Sequence, residues 1–321
     1  MFDSSVISLI PLIACTLGSC YIGMRLFWPT LQDTPAAHTK NYSGRTVVYG
    51  LGIVWLFWAI GLWIFEMISR IFAPDFGAIV TIDLRVVVLL VVVAFVFGFI
   101  DDTYGSSSSR GFKGHIKSLF QGKLTTGGLK LFGIGFASLY GAYRLGAKLF
   151  IVNGSSSFEK IAYVILVGFA IALTSNLLNL TDLRPGRASK VYGVLAVIGL
   201  AFSVLSPTSP VAPSLQHFIA DATVLLVPVF VVVGLDVREK GMLGDAGANA
   251  MGVLVGAYIL TRFGLNFSLI AIYLVLILLL NLMSEKISFS KVIEGNKFLS
   301  KLDNLGRLKT GVSDKTPDNL K

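Results

Sequence analysis

The sequence predicts an all-α fold, a polytopic helical integral membrane protein with about nine to ten transmembrane helices. Of its 321 residues, 54% are hydrophobic and only 14% are charged, and the mean hydropathy is +0.76. A soluble domain carries about 25% charged residues. Several apolar segments also approach or exceed the ~20 residues that a helix needs to cross a bilayer. The composition therefore excludes an ordinary soluble protein.

Nine apolar segments are the predicted membrane spans. They lie at residues 6–28, 46–72, 84–100, 125–145, 158–180, 189–206, 217–235, 246–263 and 266–285. The polar connections between them are too short to divide the chain into two folding units. Residues 1–290 are therefore predicted to form a single transmembrane domain, followed by a basic cytoplasmic tail over residues 291–321.

Basic residues lie mainly on one side of the predicted membrane. The loops after spans 1, 3, 5 and 7, their flanking residues and the tail hold 21 of the 27 Lys and Arg residues. Because cytoplasmic loops carry the excess of positive charge, the N-terminus is predicted outside and the C-terminus inside the plasma membrane. Attraction to the anionic inner leaflet explains the net charge of +9, so no nucleic-acid partner is expected.

Four carboxylates lie near predicted helix ends on this basic side: Asp101, Asp102, Asp182 and Asp245. Carboxylates at such depths are costly unless they pair with cations or a metal, and they often mark a functional site. Hard oxygen ligands beside basic side chains suit a Mg²⁺ ion that is bound together with a phosphate-bearing substrate. The alternative interpretation is structural, because an aspartate commonly caps the start of a helix.

Polar and basic side chains accompany these acids. Asn176 and Asn179 are three residues apart and share a helix face, where they either form interhelical hydrogen bonds or contact a metal or sugar. Lys113 and Lys117 precede span 4, and an ammonium group is a good partner for phosphate. The excess of positive charge on the cytoplasmic side would by itself place lysines there.

In their order along the chain, these segments resemble the polyprenyl-phosphate N-acetylhexosamine-1-phosphate transferases. That family includes the bacterial phospho-N-acetylmuramoyl-pentapeptide transferase and the GlcNAc-1-phosphate transferases that start cell-envelope glycans. The similarity runs from about residue 38 to residue 256. The segments that carry it are HTKNYSGRTVVYGLG at 38–52, FGFIDDTYG with the Asp101–Asp102 pair, HIKSLFQ with Lys117, NLLNLTD ending at Asp182, and MLGDAG with Asp245.

The resemblance implies a Mg²⁺-dependent transfer of a sugar-1-phosphate from a UDP-sugar to polyprenyl (undecaprenyl) phosphate, with release of UMP. The sugar is expected to be an N-acetylhexosamine. Expected partners are the UDP-sugar, the polyprenyl phosphate and membrane lipids, and a homodimer is left open. The implied catalytic residues are Asp101, Asp102 and Asp245, and Mg²⁺ is assigned to Asp245 and Asn179. Substrate contacts are assigned to Lys40, Lys117, Asn176, Asp182, Arg184 and Arg187.

The chain departs from the family pattern in four places. Met242 stands where the family often has an aromatic residue, and a tenth span is not evident. Pro185 stands where the family usually has a second Asp, between Arg184 and Arg187. The segment after the ninth span lacks the His-rich loop of many members, and Arg307 with the two other arginines could replace the lost contacts. Residues 291–306 are predicted to form a helix in the membrane interface, with apolar residues near one face.

Three alternative functions remain open at this point. A non-catalytic family member that binds a lipid-linked intermediate is favoured by the missing Asp and His residues. A CDP-alcohol phosphatidyltransferase is suggested by DLRPGRA, although the later part of that family's signature does not follow. A transporter would require interrupted helices in matching halves of the chain, which are not evident.

Overall fold

The computed structural model describes residues 4–72, 79–105, 118, 121–123, 125–205 and 214–307. Among these residues, nine helices contain 19 residues or more. They are α1 (Ser4–Asp33), α2 (Val54–Phe72), α3 (Leu84–Tyr104), α4 (Thr126–Val152), α5 (Ser157–Thr181), α6 (Arg187–Leu205), α7 (Leu215–Val237), α8 (Gly244–Phe263) and α9 (Phe267–Lys286). Each of the nine overlaps one of the nine predicted spans.

Seven of the long helices are long and apolar enough to cross a membrane, and the exceptions are α4 and α8. The chain is therefore a multi-pass helical membrane protein, as its composition predicts. Helix α8 is the centre of the bundle, since 18 of its 20 residues are buried. A helix that is buried on all sides contacts protein rather than lipid, which explains why α8 can be rich in Gly and Ala.

Two glycines allow neighbouring helices to approach α8 closely. A methyl group at Gly98 of α3 would lie 2.6 Å from the Cα of Ala246, and one at Gly252 of α8 would lie 2.3 Å from the Cα of Ser175 in α5. Both contacts are with backbone atoms, which cannot move aside as a flexible side chain can. The ends of α3 and α5 are therefore held against the first turns of α8.

Two strands before α2 and one before α8 form a small sheet, which the sequence does not predict. Its strands are β1 (His38–Lys40), β2 (Thr46–Tyr49) and β3 (Gly241–Met242). Strand β2 pairs antiparallel with β1 and parallel with β3. The predicted start of the second span at residue 46 is therefore wrong, because β-branched residues there form a strand and Gly50 follows with φ 128°, which ends it before the helix.

The described part of the tail contains two short helices, α10 (Phe289–Gly295) and α11 (Lys297–Asp303). The prediction of one helix over 291–306 is wrong because Asn296 interrupts it. The Asn296 side chain accepts hydrogen bonds from the N–H groups of Phe298 and Leu299 and so starts a new helix. The rest of the predicted tail, residues 308–321, lies outside the described residues.

Candidate active site

Four helices bring charged and polar side chains together at one end of the bundle. The ammonium group of Lys130, in α4, contacts Oδ2 of Asp101 in α3 at 2.7 Å and also Oδ2 of Asp245 in α8. In the amide orientation that gives both of its polar groups a partner, Asn179, in α5, donates from its nitrogen to Asp245 Oδ1 at 2.8 Å and accepts from Lys130 at 3.3 Å through its oxygen. We call these four residues the Lys130 cluster.

The directions of the helices explain why these residues meet. Asp101 and Asn179 lie near the C-terminal ends of α3 and α5, whereas Lys130 and Asp245 lie near the N-terminal ends of α4 and α8. The contacts among these side chains therefore place the four helix ends together at one end of the bundle. The charged side chains are only 13 to 28% exposed, so their interactions are weakly screened.

The two adjacent aspartates of α3 have different surroundings. Asp102 accepts hydrogen bonds from the backbone N–H groups of Asp245 at 2.9 Å and Ala246 at 3.0 Å. These N–H groups belong to the first turn of α8, which has no acceptors of its own for them. Asp102 therefore caps α8, as the structural interpretation proposes, while Asp101 faces Lys130.

Tyr49 links the small sheet to this cap. Its hydroxyl donates a hydrogen bond to Asp102 Oδ1. Burial, and then the charge of Asp102, raise the pKa of Tyr49, so its hydroxyl remains protonated and continues to donate. Tyr49 is also paired with Met242, three residues before Asp245. The segment between α1 and α2 thus positions the start of α8 through both a strand pair and a side-chain bond.

Asp182 follows α5 and supports the turn before Asp245. Its Oδ2 atom accepts a hydrogen bond from the N–H of Gly244 at 3.2 Å. Burial raises the pKa of Asp182 well above its ordinary value, and the nearby charges of Asp236 and Asp245 act in the same direction. Asp182 thus lies beside the Lys130 cluster and supports the turn that leads to Asp245.

Among the described residues, two of those predicted to bind substrate do not join the cluster. Asn176 donates to Asn281 Oδ1 at 2.7 Å, which is the interhelical bond of the structural interpretation. Lys40 is exposed at the end of β1, where it pairs with Thr46. Lys117 lies outside the described residues.

Arg184 and Arg187 contact the tail. Arg187 donates through Nε and Nη2 to the two oxygens of Asp303, both at 2.9 Å, and its side chain is only 3% exposed. Arg184 stacks on Tyr42 and pairs with Glu294 at 3.0 Å. Both predicted substrate contacts therefore have partners within the chain.

Arg307 completes the attachment of the tail. Its Nε donates to the carbonyl oxygen of Pro185 at 2.9 Å, and its Nη2 lies 3.0 Å from Asp303 Oδ2. Burial alone would raise the pKa of Asp303, but hydrogen bonds from Arg187 and the charges of Arg187 and Arg307 lower it overall. We call Pro185, Arg187, Asp303 and Arg307 the tail clamp.

Lys130 is the site residue that sequence reasoning missed. In the sequence it is one of the 21 basic residues of the predicted cytoplasmic side. One signal could have identified it, because it is a lone charge in the apolar stretch GGLKLFGIGF at the start of a predicted span. An ionisable residue within a spanning segment suggests a functional site by default.

The donor set of the Lys130 cluster is compatible with Mg²⁺. Within the part of the chain that the structure describes, no three His, Cys, Asp or Glu side chains form a group that could hold a metal. Oxygens of Asp101, Asn179 and Asp245 nevertheless converge on one ammonium group. Mg²⁺ is usually bound by one or two carboxylates together with water and substrate phosphate. These residues therefore fit an ion shared with a substrate rather than one enclosed by protein.

Comparison with models of known protein families and with curated proteins gave no match for this chain. The assignment of a function therefore depends on the motifs and on the geometry that joins them.

Proposed function

We propose that this chain is a phospho-sugar transferase resembling the polyprenyl-phosphate N-acetylhexosamine-1-phosphate transferases and acting in cell-envelope glycan biosynthesis. It transfers a sugar-1-phosphate from a UDP-sugar to polyprenyl phosphate and releases UMP. The observation that carries the proposal is the meeting of Asp101, Asn179 and Asp245 at one ammonium group. These residues come from three motifs of the resemblance that are far apart in the sequence.

The reaction joins two phosphate groups at this site. An oxygen of the lipid phosphate forms a bond to the β-phosphorus of the UDP-sugar, while the bond between that phosphorus and the bridging oxygen to the α-phosphate breaks. The bridging oxygen leaves with UMP, and the sugar remains on a polyprenyl diphosphate. Such transfers depend mainly on positioning and on electrostatic stabilisation of phosphate charge.

The residues of the cluster and the neighbouring Asp102 have separate roles in this scheme. Asp101 orients the lipid phosphate and accepts its proton where that group is protonated. Lys130 donates to phosphate oxygens as negative charge shifts towards UMP. Asp102 acts indirectly. It accepts a hydrogen bond from the backbone N–H of Asp245 and so positions the first turn of α8. A Mg²⁺ ion held by Asp245 and Asn179 would offset the charge of the diphosphate.

The membrane arrangement follows from the substrates. The long tail of the lipid acceptor stays in the bilayer, while the UDP-sugar comes from the cytoplasm. We therefore assign nine spans in the plasma membrane, an external N-terminus and a cytoplasmic Lys130 cluster and tail. The distribution of 21 of 27 basic residues on the cluster side supports this orientation.

Isotope exchange tests the proposed reaction directly. Purified protein, undecaprenyl phosphate, Mg²⁺ and UDP-GlcNAc should incorporate labelled UMP into the UDP-sugar. A small panel of UDP-sugars identifies the preferred sugar. Asp245→Asn retains the size of the side chain, removes its charge and should reduce exchange by at least about 100-fold. Full UMP exchange by this variant would show that the charge of Asp245 is not needed for the reaction.

A second candidate is a non-catalytic protein that binds a lipid-linked intermediate. The observation that favours it is that Asp101 and Asp245 are both paired with Lys130, while Arg187 and Arg307 are paired with the tail. Binding of a polyprenyl-diphosphate sugar without any UMP exchange would support this candidate over the transferase.

A further inference from the structure

Lys130 holds a position at which a cation is expected. An ammonium group has three N–H donors, and three oxygens face it, from Asp101, Asn179 and Asp245. Two carboxylate oxygens and an amide oxygen are also the ligand types that Mg²⁺ accepts. The lysine therefore uses the same oxygens that a divalent ion would need.

We propose that Lys130 is a resident counter-cation, which releases Asp101 and Asp245 when a divalent metal ion binds and then pairs with substrate phosphate. The metal and phosphate parts of this inference rest on the proposed function. The part that concerns this chain alone is competition between an ammonium group and a divalent ion for the same oxygens.

The charge balance explains why such a competitor is useful. Asp101 and Asp245 carry two negative charges, and Lys130 supplies one positive charge to offset them. Asp102 is a third carboxylate near these two, and N–H groups of α8 bind both of its oxygens. Without Lys130, the two carboxylates would be buried without a cation, which is strongly unfavourable. The lysine thus stabilises the empty cluster.

The lysine side chain can also leave its position. Its ammonium group ends a flexible four-carbon chain, and the residue is 13% exposed, so the group is not fully enclosed. A substrate diphosphate brings new negative charge near the cluster and offers the ammonium group other partners. Lys130 therefore weakens the binding of free metal while favouring metal that arrives with a phosphate-bearing substrate.

Metal binding without substrate tests the inference. The probe is Mn²⁺, measured by electron paramagnetic resonance on the purified full-length protein without UDP-sugar or lipid phosphate. Lys130→Met removes the charge, keeps a similar length and should increase Mn²⁺ affinity at least tenfold. Lys123→Met, at an exposed position before α4, is the matched control and should leave the affinity unchanged.

The melting temperature gives a second readout on the same samples. Without metal, Lys130→Met should melt at a lower temperature than the natural protein, and Mn²⁺ should raise its melting temperature more than that of the natural protein. Equal or weaker Mn²⁺ affinity in Lys130→Met overturns the inference. So does the lack of Mn²⁺ binding in both proteins.

A measurement on the natural protein covers the case in which the variant does not fold. Lys130 should react faster with an amine-specific reagent, followed by mass spectrometry, as Mn²⁺ is added, whereas the rate at Lys123 should not change. A constant or slower rate at Lys130 overturns the inference.

The outcome is separable from that of the exchange assay. Competition without UMP exchange supports the inference while rejecting the transferase. UMP exchange without competition between Lys130 and Mn²⁺ supports the transferase and overturns the inference.

Discussion

At the scale of single residues, two neighbouring aspartates of the same helix have different tasks. Asp101 pairs with Lys130 at 2.7 Å, whereas Asp102 accepts from two N–H groups of α8. Successive side chains of a helix point in directions about 100° apart. Adjacent residues therefore face different neighbours, and an Asp–Asp pair need not act as one unit.

Substitution of each aspartate by Ala should separate the two tasks. Asp101→Ala should reduce UMP exchange by at least about 100-fold with little change in melting temperature, because Lys130 keeps its bond to Asp245. Asp102→Ala should lower the stability by about 1–3 kcal/mol for each donor left unpaired. Exchange activity and thermal melts of the same preparations provide both measurements.

Asp102→Asn is the control for the capping role. Asn keeps one acceptor and is also a good N-cap, so its melting temperature should lie between those of the natural protein and Asp102→Ala. An unchanged melting temperature in Asp102→Ala together with lost exchange would instead give Asp102 the direct catalytic role that the resemblance implies.

At the scale of elements, the tail helices are attached to the loop between α5 and α6 and to the start of α6. The attachment is the tail clamp, in which Arg187 binds both oxygens of Asp303 and Arg307 binds the carbonyl of Pro185. A bidentate pair between side chains that are mostly buried is stronger than a surface ion pair. The clamp rather than the interface alone therefore positions α10 and α11.

Removal of Arg187 should release the tail. A spin label at Lys297→Cys, in a background without Cys15 and Cys20, reports the mobility of α11. Arg187→Met should increase this mobility clearly, because Asp303 loses both bidentate bonds. Arg238→Met, at an exposed position, is the control and should have no effect. Unchanged mobility in Arg187→Met would show that other contacts hold the tail.

Acid should release the tail as well. The pKa of Asp303 in the folded protein is lowered, chiefly by Arg187 acting against burial. The ionised carboxylate therefore stabilises the clamp fully above the unfolded pKa of about 3.9. This stability is lost as the pH falls through the lower folded pKa. The spin label should become mobile below about pH 4, and Arg187→Met should remove most of this dependence.

At the scale of the whole molecule, the chemistry-bearing ends of α3, α4, α5 and α8 lie on one side of the bundle. Helix α8 is central and nearly fully buried, so its first turn is reached from several surrounding helices. The same side carries most of the basic residues, which sets its orientation towards the cytoplasm in the proposed arrangement. In that arrangement, one membrane face holds both the charge bias and the Lys130 cluster.

Labelling of introduced cysteines tests this orientation. Lys123→Cys and Leu183→Cys lie at exposed positions on the side of the Lys130 cluster, and Asn153→Cys lies at an exposed position between α4 and α5. A membrane-impermeant maleimide should label only Asn153→Cys in intact cells and all three after the membrane is broken. Labelling of position 123 or 183 in intact cells would reverse the topology and move the site to the outside.

The sequence by itself determined the class of the protein and the positions of its long helices. Apolar length and charge bias are local properties, and they predict helices whether or not their neighbours are known. They also identified Asp101, Asn179 and Asp245, because polar groups at the ends of apolar segments are conspicuous. Only the tertiary structure decided which partners these groups have, since pairing depends on contacts between residues far apart in the sequence, such as Lys130 and Asp245, which are 115 positions apart. The separate role of Asp102, the strand pairing of Tyr49 and the commitment of Arg187 to the tail are consequences of such long-range contacts. No local pattern encodes them.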